Sequence, residues 1–269
     1  MNVSWNITGS LSKIKASDTV VLSVGKSGRT WLRVMLNKYL SLTFGVPFGL
    51  EDLNKSNGGI PSIAYTHELW EHISKATTIE KLMGKYIIPE SVLSAKKVIV
   101  LYRDPRDVLI SLYFHKTRRS RKKARIKTGD LINDRRCGIQ CIIEVLNNWR
   151  HRLKNHSGCF WISYETLRRN TLDSLLNILT FIGFSEPDEE LMRQAVRFSE
   201  FDNMKQMEAK GLFESRILQP GNPTDPDSFK VRAGKVGGYL LYFSTEELCV
   251  LNRALEGLDE FYGYKTISE

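Results

Sequence analysis

The chain has 269 residues, with 39 Lys and Arg against 30 Asp and Glu. That length suffices for one large domain with a real core, and the composition is that of an ordinary soluble globular protein. The formal charge of +9 is unevenly placed: HKTRRSRKKARIK, residues 115–127, holds eight Lys and Arg and no acid, and the remainder is nearly neutral. This excludes a polyanion binder that works through its whole surface, and no nucleic-acid partner is expected.

The N-terminal MNVSWNITGSLSKIKAS has no apolar run long enough for a signal peptide. No stretch approaches the roughly 18 to 20 apolar residues that span a bilayer. Cys137, Cys141, Cys159 and Cys249 form no CxxC pair and no Cys/His ligand spacing, so Cys137 and Cys141 read as buried thiols. A reducing cytoplasm is the expected location. The sequon Asn6-Ile7-Thr8 carries no meaning without secretion.

Thr19 to Val24 is a continuous β-branched and apolar run, hence a buried strand. Gly28 to about Phe44 reads as a helix with Trp31, Leu32, Met35, Leu36, Tyr39 and Leu40 on one side. Residues 45–60, rich in Gly, Pro and Asn, read as loop. Ile63 to Thr66 is a short strand that presents His67 at its end. Lys97 to Tyr102 (KVIVLY) is a second buried strand, and Asp104 caps a helix entered at Pro105. A helical stripe runs from Asn133 to Leu153. Cys159 to Ser163 is a strand, followed by one helix through Leu167 to Leu179 and another over 189–197. Residues 215–238 read as loop, and Ser244 to Leu258 as the last helix, with Ser244-Thr245-Glu246-Glu247 at its start.

Strands alternate with helices and are apolar on both faces, which predicts an α/β fold with a central parallel sheet covered by helices. With no internal repeat and no evident boundary, residues 1–269 read as a single domain with a basic insert at 115–130. Ligands in such sheets bind at the carboxyl ends of strands. Residues 25–31, 103–111 and 164–165 therefore carry the most interest.

The first of these ends is VVLSVGKSGRTWLR, residues 20–33. A Walker A loop needs a glycine five residues before Gly25, and that position is Val20, inside the strand. KVIVLY is followed by Arg103 rather than a clean Walker B acid. A nucleotide-dependent phosphotransferase is therefore the alternative rather than the leading reading. A shorter loop remains. Backbone N–H groups at the helix start can meet an anion, Gly28 allows close approach, Lys26 and Arg29 add charge, and Thr30 adds a hydroxyl. Trp31 offers a ring to stack on a base; its other reading is core packing.

The second end, YRDPRDVLISLY at 102–113, places Arg103 at the strand end and Ser111 eight residues on, about two helical turns away. One anion could touch both if the helix tips toward the site. The competing reading is a helix start with solvated charges at Arg106 and Asp107.

KSGRTW together with YRDPRDVLISLY resembles the cytosolic-type sulfotransferase family, whose members use 3′-phosphoadenosine 5′-phosphosulfate (PAPS). Further segments match in order: Thr66-His67, Ser163-Tyr164-Glu165, Phe201-Asp202-Asn203-Met204-Lys205, and Arg232-Ala233-Gly234-Lys235-Val236-Gly237-Gly238-Tyr239. Any one is weak, but six in order over residues 25–239 are specific. The resemblance implies a P-loop-NTPase-like sulfotransferase fold, and PAPS as co-substrate with adenosine 3′,5′-bisphosphate (PAP) as product. It implies that Lys26, Ser27, Gly28, Arg29 and Thr30 hold the 5′-phosphosulfate. It also implies that Arg103, Ser111, Arg232, Ala233 and Gly234 hold the 3′-phosphate. Trp31 and Phe201 would sandwich adenine, with Tyr164 and Ser199 near its polar edge. For catalysis it points to His67 as base, Lys26 as stabiliser of the leaving group, and Ser111 placed to touch that lysine. Glu68 is the fallback base, and His115 a weaker one that reads as solvated. No metal is implied.

The chain departs from the family pattern at several places. Arg29 replaces the first threonine of its T-T pair, Tyr65 a frequent lysine, Ala233 the lysine of R-K-G, Gly238 an aspartate and Tyr239 a tryptophan. The family's C-terminal dimer segment would fall on Leu240, Ser244, Thr245 and Cys249 and is not matched, so no dimer is carried over. The basic run 115–127 has two readings: a mobile, solvated segment, or a patch for an acidic or glycan-like acceptor or an anionic membrane surface. A polyanion-binding module without catalysis is the third hypothesis.

Overall fold

In the computed structural model of the protein, which describes residues 10–120, 122–212 and 216–264, helices cover both faces of a four-stranded sheet. The strands are β1 (Thr19–Ser23), β2 (Ile63–Thr66), β3 (Lys97–Tyr102) and β4 (Cys159–Ser163). All pair in parallel, in the order β2-β1-β3-β4. The register sets Leu22 beside both Thr66 and Val100, and Tyr102 beside Ser163. The four carboxyl ends therefore open on one edge of the sheet.

Side chains along a strand alternate between faces, so β1 and β3 supply two cores at once. Val20, Leu22, Val98 and Val100 join the helices Pro105–Phe114, Ile139–Leu153 and Thr245–Leu255 on one face. Val21, Ile99 and Leu101 join Arg29–Phe44, Thr171–Ile182 and Glu189–Phe198 on the other. This is why the strands lack a polar–apolar alternation. Among the described residues, no helix is long and apolar enough to cross a membrane.

Three expected helices have other bounds, and several short helices are new. The helix expected from Asn133 begins at Ile139, because the Asp134 carboxylate accepts from the N–H groups of Arg136 and Cys137 and holds a turn. A Cβ on Gly138 would lie 2.4 Å from the Ile132 carbonyl, so that turn closes only around glycine. Cys137 and Cys141 are buried, as expected. The helix expected through Leu179 is two, Tyr164–Arg169 and Thr171–Ile182, broken at Asn170 with φ −125° and ψ 60°. The last helix stops at Leu255; its start is the expected one, a capping box between Ser244 and Glu247. Helices Ser10–Ala16, Leu69–Lys75, Thr78–Leu82, Glu90–Leu93 and Phe201–Ala209 were not expected. Asn6-Ile7-Thr8 and Arg121 lie outside the described residues.

Candidate active site

Each strand delivers one side chain to a cavity of about 740 Å³ at the carboxyl edge. Lys26 follows β1, His67 follows β2, Arg103 follows β3 and Tyr164 follows β4. Gly28, Arg29, Thr30, Trp31, Ser111, Ser199, Phe201, Arg232, Ala233 and Gly234 line the same space. Of the residues singled out from the sequence, Ser27 does not reach it. Its side chain is buried, and its hydroxyl has no hydrogen-bond partner among the described residues.

The loop after β1 has an anion-binding form. Gly28 caps the helix Arg29–Phe44 with no side-chain bond to the first N–H groups, which stay available to a ligand. Gly28 has φ 91°, and a Cβ there would sit 2.6 Å from the Tyr164 ring. Both facts require glycine. Trp31 meets Tyr164 edge to face, with ring centroids 5.8 Å apart. Lys26 itself has φ 77°, a conformation that costs a non-glycine residue about 1–2 kcal/mol. The loop thus holds its lysine in a strained pose. Burial and the nearby Arg119 charge lower the Lys26 ammonium to about 7, partly offset by Glu208.

His67 is oriented by the neighbouring strand. Its Nδ1 lies 2.6 Å from the carbonyl oxygen of Ser23, the last residue of β1. A nitrogen facing a carbonyl carries the proton, so Nε2 keeps its lone pair. Burial, with help from the Arg29, Lys75 and Lys230 charges, holds the ring well below the usual histidine range and therefore neutral at pH 7.

Glu68 is not a usable base. Its Oε1 accepts from the Ile88 N–H and from Arg152, and its Oε2 from the Trp149 indole, all within 3.1 Å, and the carboxylate itself is buried. It ties three elements together on the far side of the strand end. His115, expected to be solvated, lines the cavity instead, with Nδ1 buried and without a hydrogen-bond partner among the described residues. Burial and the Lys26 charge lower it to about 3.

The opposite end of the cavity is built of cations held by carbonyls, aromatic rings and one carboxylate each, Asp107 for Arg103 at 3.4 Å and Asp227 for Arg232 at 3.8 Å. Arg103 donates to the carbonyls of Lys26 (3.3 Å) and Lys235 (2.8 Å), and its guanidinium lies 4.3 Å from the Tyr164 ring centroid. Its Nε is buried with no hydrogen-bond partner among the described residues. Arg232 rests 3.7 Å over the Phe114 ring and donates to the Tyr242 hydroxyl. Ser111 reaches the same space from the helix Pro105–Phe114. Ser199 spends its hydroxyl on the Val196 carbonyl. Gly234, with φ 59°, packs so closely under Phe201 that a Cβ would sit 2.6 Å from the ring. Arg106 and Asp107 are not solvated. Arg106 is buried, bonded to Asp104 and Asn252, and Asp107 accepts from the N–H groups of Gly237 and Tyr239. Asp107 thereby pins the Arg232–Tyr239 segment over the site.

The basic run divides in two. His115–Arg119 continues the preceding helix as a π turn, a form that recurs at functional sites. His115, Lys116 and Arg119 line the cavity, and Arg119 donates to the Gln219 carbonyl. Arg118, Lys122, Lys123, Arg125 and Lys127 are exposed. The solvated reading therefore fails for the first turn. Sequence reasoning missed Trp70 and Lys230. Trp70 packs over Gly25, where a Cβ would lie 3.3 Å from its indole nitrogen. Lys230 is fixed by buried Glu208, whose carboxylate accepts from the N–H groups of Lys230 and Val231. Its one signal was a lysine two residues before Arg232.

The model of the sulfotransferase domain family matches residues 16–262. Cytosolic sulfotransferase 17 of Arabidopsis thaliana is 24% identical over 91% of this chain and 75% of its own length. Sulfotransferase 2A2 of Rattus norvegicus is 26% identical over 77% of this chain and 74% of its own length. Mouse sulfotransferase SULT7A1, solved with PAP, superposes with a TM-score of 0.61 at 18% identity, over 93% of this chain and 88% of that one. Retinol dehydratase, solved with retinol and PAP, gives 0.57 at 16% identity, over 98% and 86%. The fold is theirs, and with the family model spanning nearly the whole chain, this protein belongs to the sulfotransferase domain family.

Proposed function

We propose that the protein transfers the sulfuryl group of PAPS to a hydroxyl or amine of an acceptor, with His67 as base and Lys26 stabilising the leaving group. The observation that carries this reading is the His67–Ser23 bond. It presents an unprotonated Nε2 in the same cavity as a strained lysine and an uncapped helix start. The residues fit the co-substrate. Unpartnered Arg103 Nε and open N–H groups await phosphate oxygens, the glycines at 28 and 234 leave room under aromatic rings, and the volume suits a nucleotide. That two structural neighbours were solved with PAP supports the same ligand.

PAPS supplies the sulfuryl group and a phosphate leaving group. The acceptor oxygen forms its bond to sulfur as the S–O bond to the 5′-phosphate breaks. The hydroxyl proton passes to His67 Nε2, and the bonding pair to the phosphate oxygen. Lys26 then neutralises the growing charge, aided by the backbone N–H groups of Arg29, Thr30 and Trp31. An anion in the cavity raises both Lys26 and His67 toward their usual ranges, which turns the empty-site ammonium of about 7 into a full charge. Arg103, Ser111, Arg232 and the backbone at Ala233 and Gly234 take the 3′-phosphate. Trp31, Tyr164 and Phe201 border the adenine, with Ser199 beside it. PAP is expected to raise the melting temperature at concentrations where ATP with Mg²⁺ does not. Greater stabilisation by ATP would instead support the phosphotransferase alternative.

A further inference from the structure

The cations of the cavity outnumber those the nucleotide uses. With Lys26, Arg103 and Arg232 assigned to the phosphosulfate and 3′-phosphate, several lining cations remain, Arg29, Lys230 and Arg119 among them. Arg29 is the informative one. It is the first residue of the helix Arg29–Phe44 and lines the cavity together with His67, Lys75 and Lys230. Its charge lowers both His67 and Lys230.

Its Nη1 is buried and has no hydrogen-bond partner among the described residues. The neighbouring carboxylates are committed elsewhere: Glu71 pairs with Lys75 at 2.7 Å, and Glu208 spends both oxygens on backbone N–H groups. Lys230, whose ammonium donates to the Ile217 carbonyl at 2.7 Å, adds a second charge to the same wall. No ion pair joins Arg29, Lys230 or Arg119 to a carboxylate among the described residues. A desolvated guanidinium with open donors is unfavourable unless an anion completes it. Its planar fork suits two oxygens of one group.

We infer that the acceptor carries its own oxyanion, a carboxylate, sulfate or phosphate, which Arg29 and Lys230 hold so that the reacting hydroxyl lies at His67. This rests on the sulfuryl-transfer reading and names the acceptor class for it. The anion lies within reach of the base, so the acceptor is a compact hydroxy acid or an anionic sugar rather than a neutral lipid or phenol.

The test offers hydroxyl acceptors in matched pairs with labelled PAPS: 4-hydroxyphenylacetate with its methyl ester, and glucose 6-phosphate with glucose. The wild type is expected to favour the anionic member of at least one pair tenfold or more in kcat/KM, mainly through KM. Arg29→Gln is expected to bring that ratio close to one, and Lys230→Met to lower it partway. PAP affinity, followed by calorimetry, should change far less than the ratio. Equal rates or a neutral preference in both pairs would overturn the inference. So would an Arg29→Gln variant that loses activity equally on both members, since the guanidinium would then serve the sulfuryl group itself. Where turnover is absent, stabilisation of the PAP-loaded protein by the anionic member alone supports the inference, and stabilisation by neither overturns it. Loss of PAP binding in the wild type would instead strike the sulfuryl-transfer reading.

Discussion

The two ends of the cavity treat positive charge differently. At the nucleotide end, Arg103 and Arg232 lie against carbonyls, a hydroxyl and aromatic faces, and each also meets a carboxylate, Asp107 at 3.4 Å and Asp227 at 3.8 Å. These partners fix the guanidinium planes. At the base end, Lys26, Arg29, Lys230 and His67 line one wall, and burial together with neighbouring positive charges lowers each of them. One end is a finished receptor. The other is incomplete until anions enter, and it gains the most from them as charge moves during the reaction.

Substitutions can break this contrast. His67→Asn is expected to lower kcat by about 10²–10⁴-fold, and Lys26→Ala by about 10²–10³-fold, each with a smaller change in PAP affinity by calorimetry. Arg103→Met should do the reverse. PAP affinity should fall about tenfold to a hundredfold, the scale of one charge-assisted bond of about 1.5–3 kcal/mol, while kcat at saturating PAPS changes little. A kcat loss in Arg103→Met as deep as that of Lys26→Ala would show that the two ends are not separate.

Acidity sharpens the contrast further. Lys26 is lowered to about 7 in the empty site and raised by a bound anion, so above pH 7 PAP binding must take up a proton. Affinity should fall as pH rises from 7, by up to about tenfold per unit for one proton. Calorimetry in buffers of different ionisation enthalpy measures that uptake. Lys26→Met should abolish it and Arg103→Met should not. A pH-independent affinity in the wild type would mean that the lysine is already charged.

The sheet was legible because β1 and β3 are buried on both faces and need an unbroken apolar run, which no helix face imitates. Arg103, Ser111 and Phe201 were legible because their spacings form ordered motifs. Helices such as Leu69–Lys75 and Glu90–Leu93 are too short to show a periodic stripe, and their stability comes from tertiary packing. Glu68 was misjudged as a spare base from its adjacency to His67. At φ 37° the chain turns there and sends the two side chains to opposite sides. Lys230 and the inward turn of Arg119 belong to no motif. They enter the site only because Glu208 and the π turn fold distant segments onto it.

The Ser23–His67 bond joins the end of β1 to the residue after β2, and Lys26 lies three residues beyond that same Ser23. In the proposed mechanism, the separation of the proton acceptor His67 from the leaving-group cation Lys26 is thus set by the ladder, whose strand spacing of about 4.8 Å is common to all sheets. Loops around the cavity can lengthen, shorten or exchange their charges without disturbing the Ser23–His67 bond. On that reading, different parts of the chain set the reaction distance and the acceptor preference, and Arg29 belongs to the second.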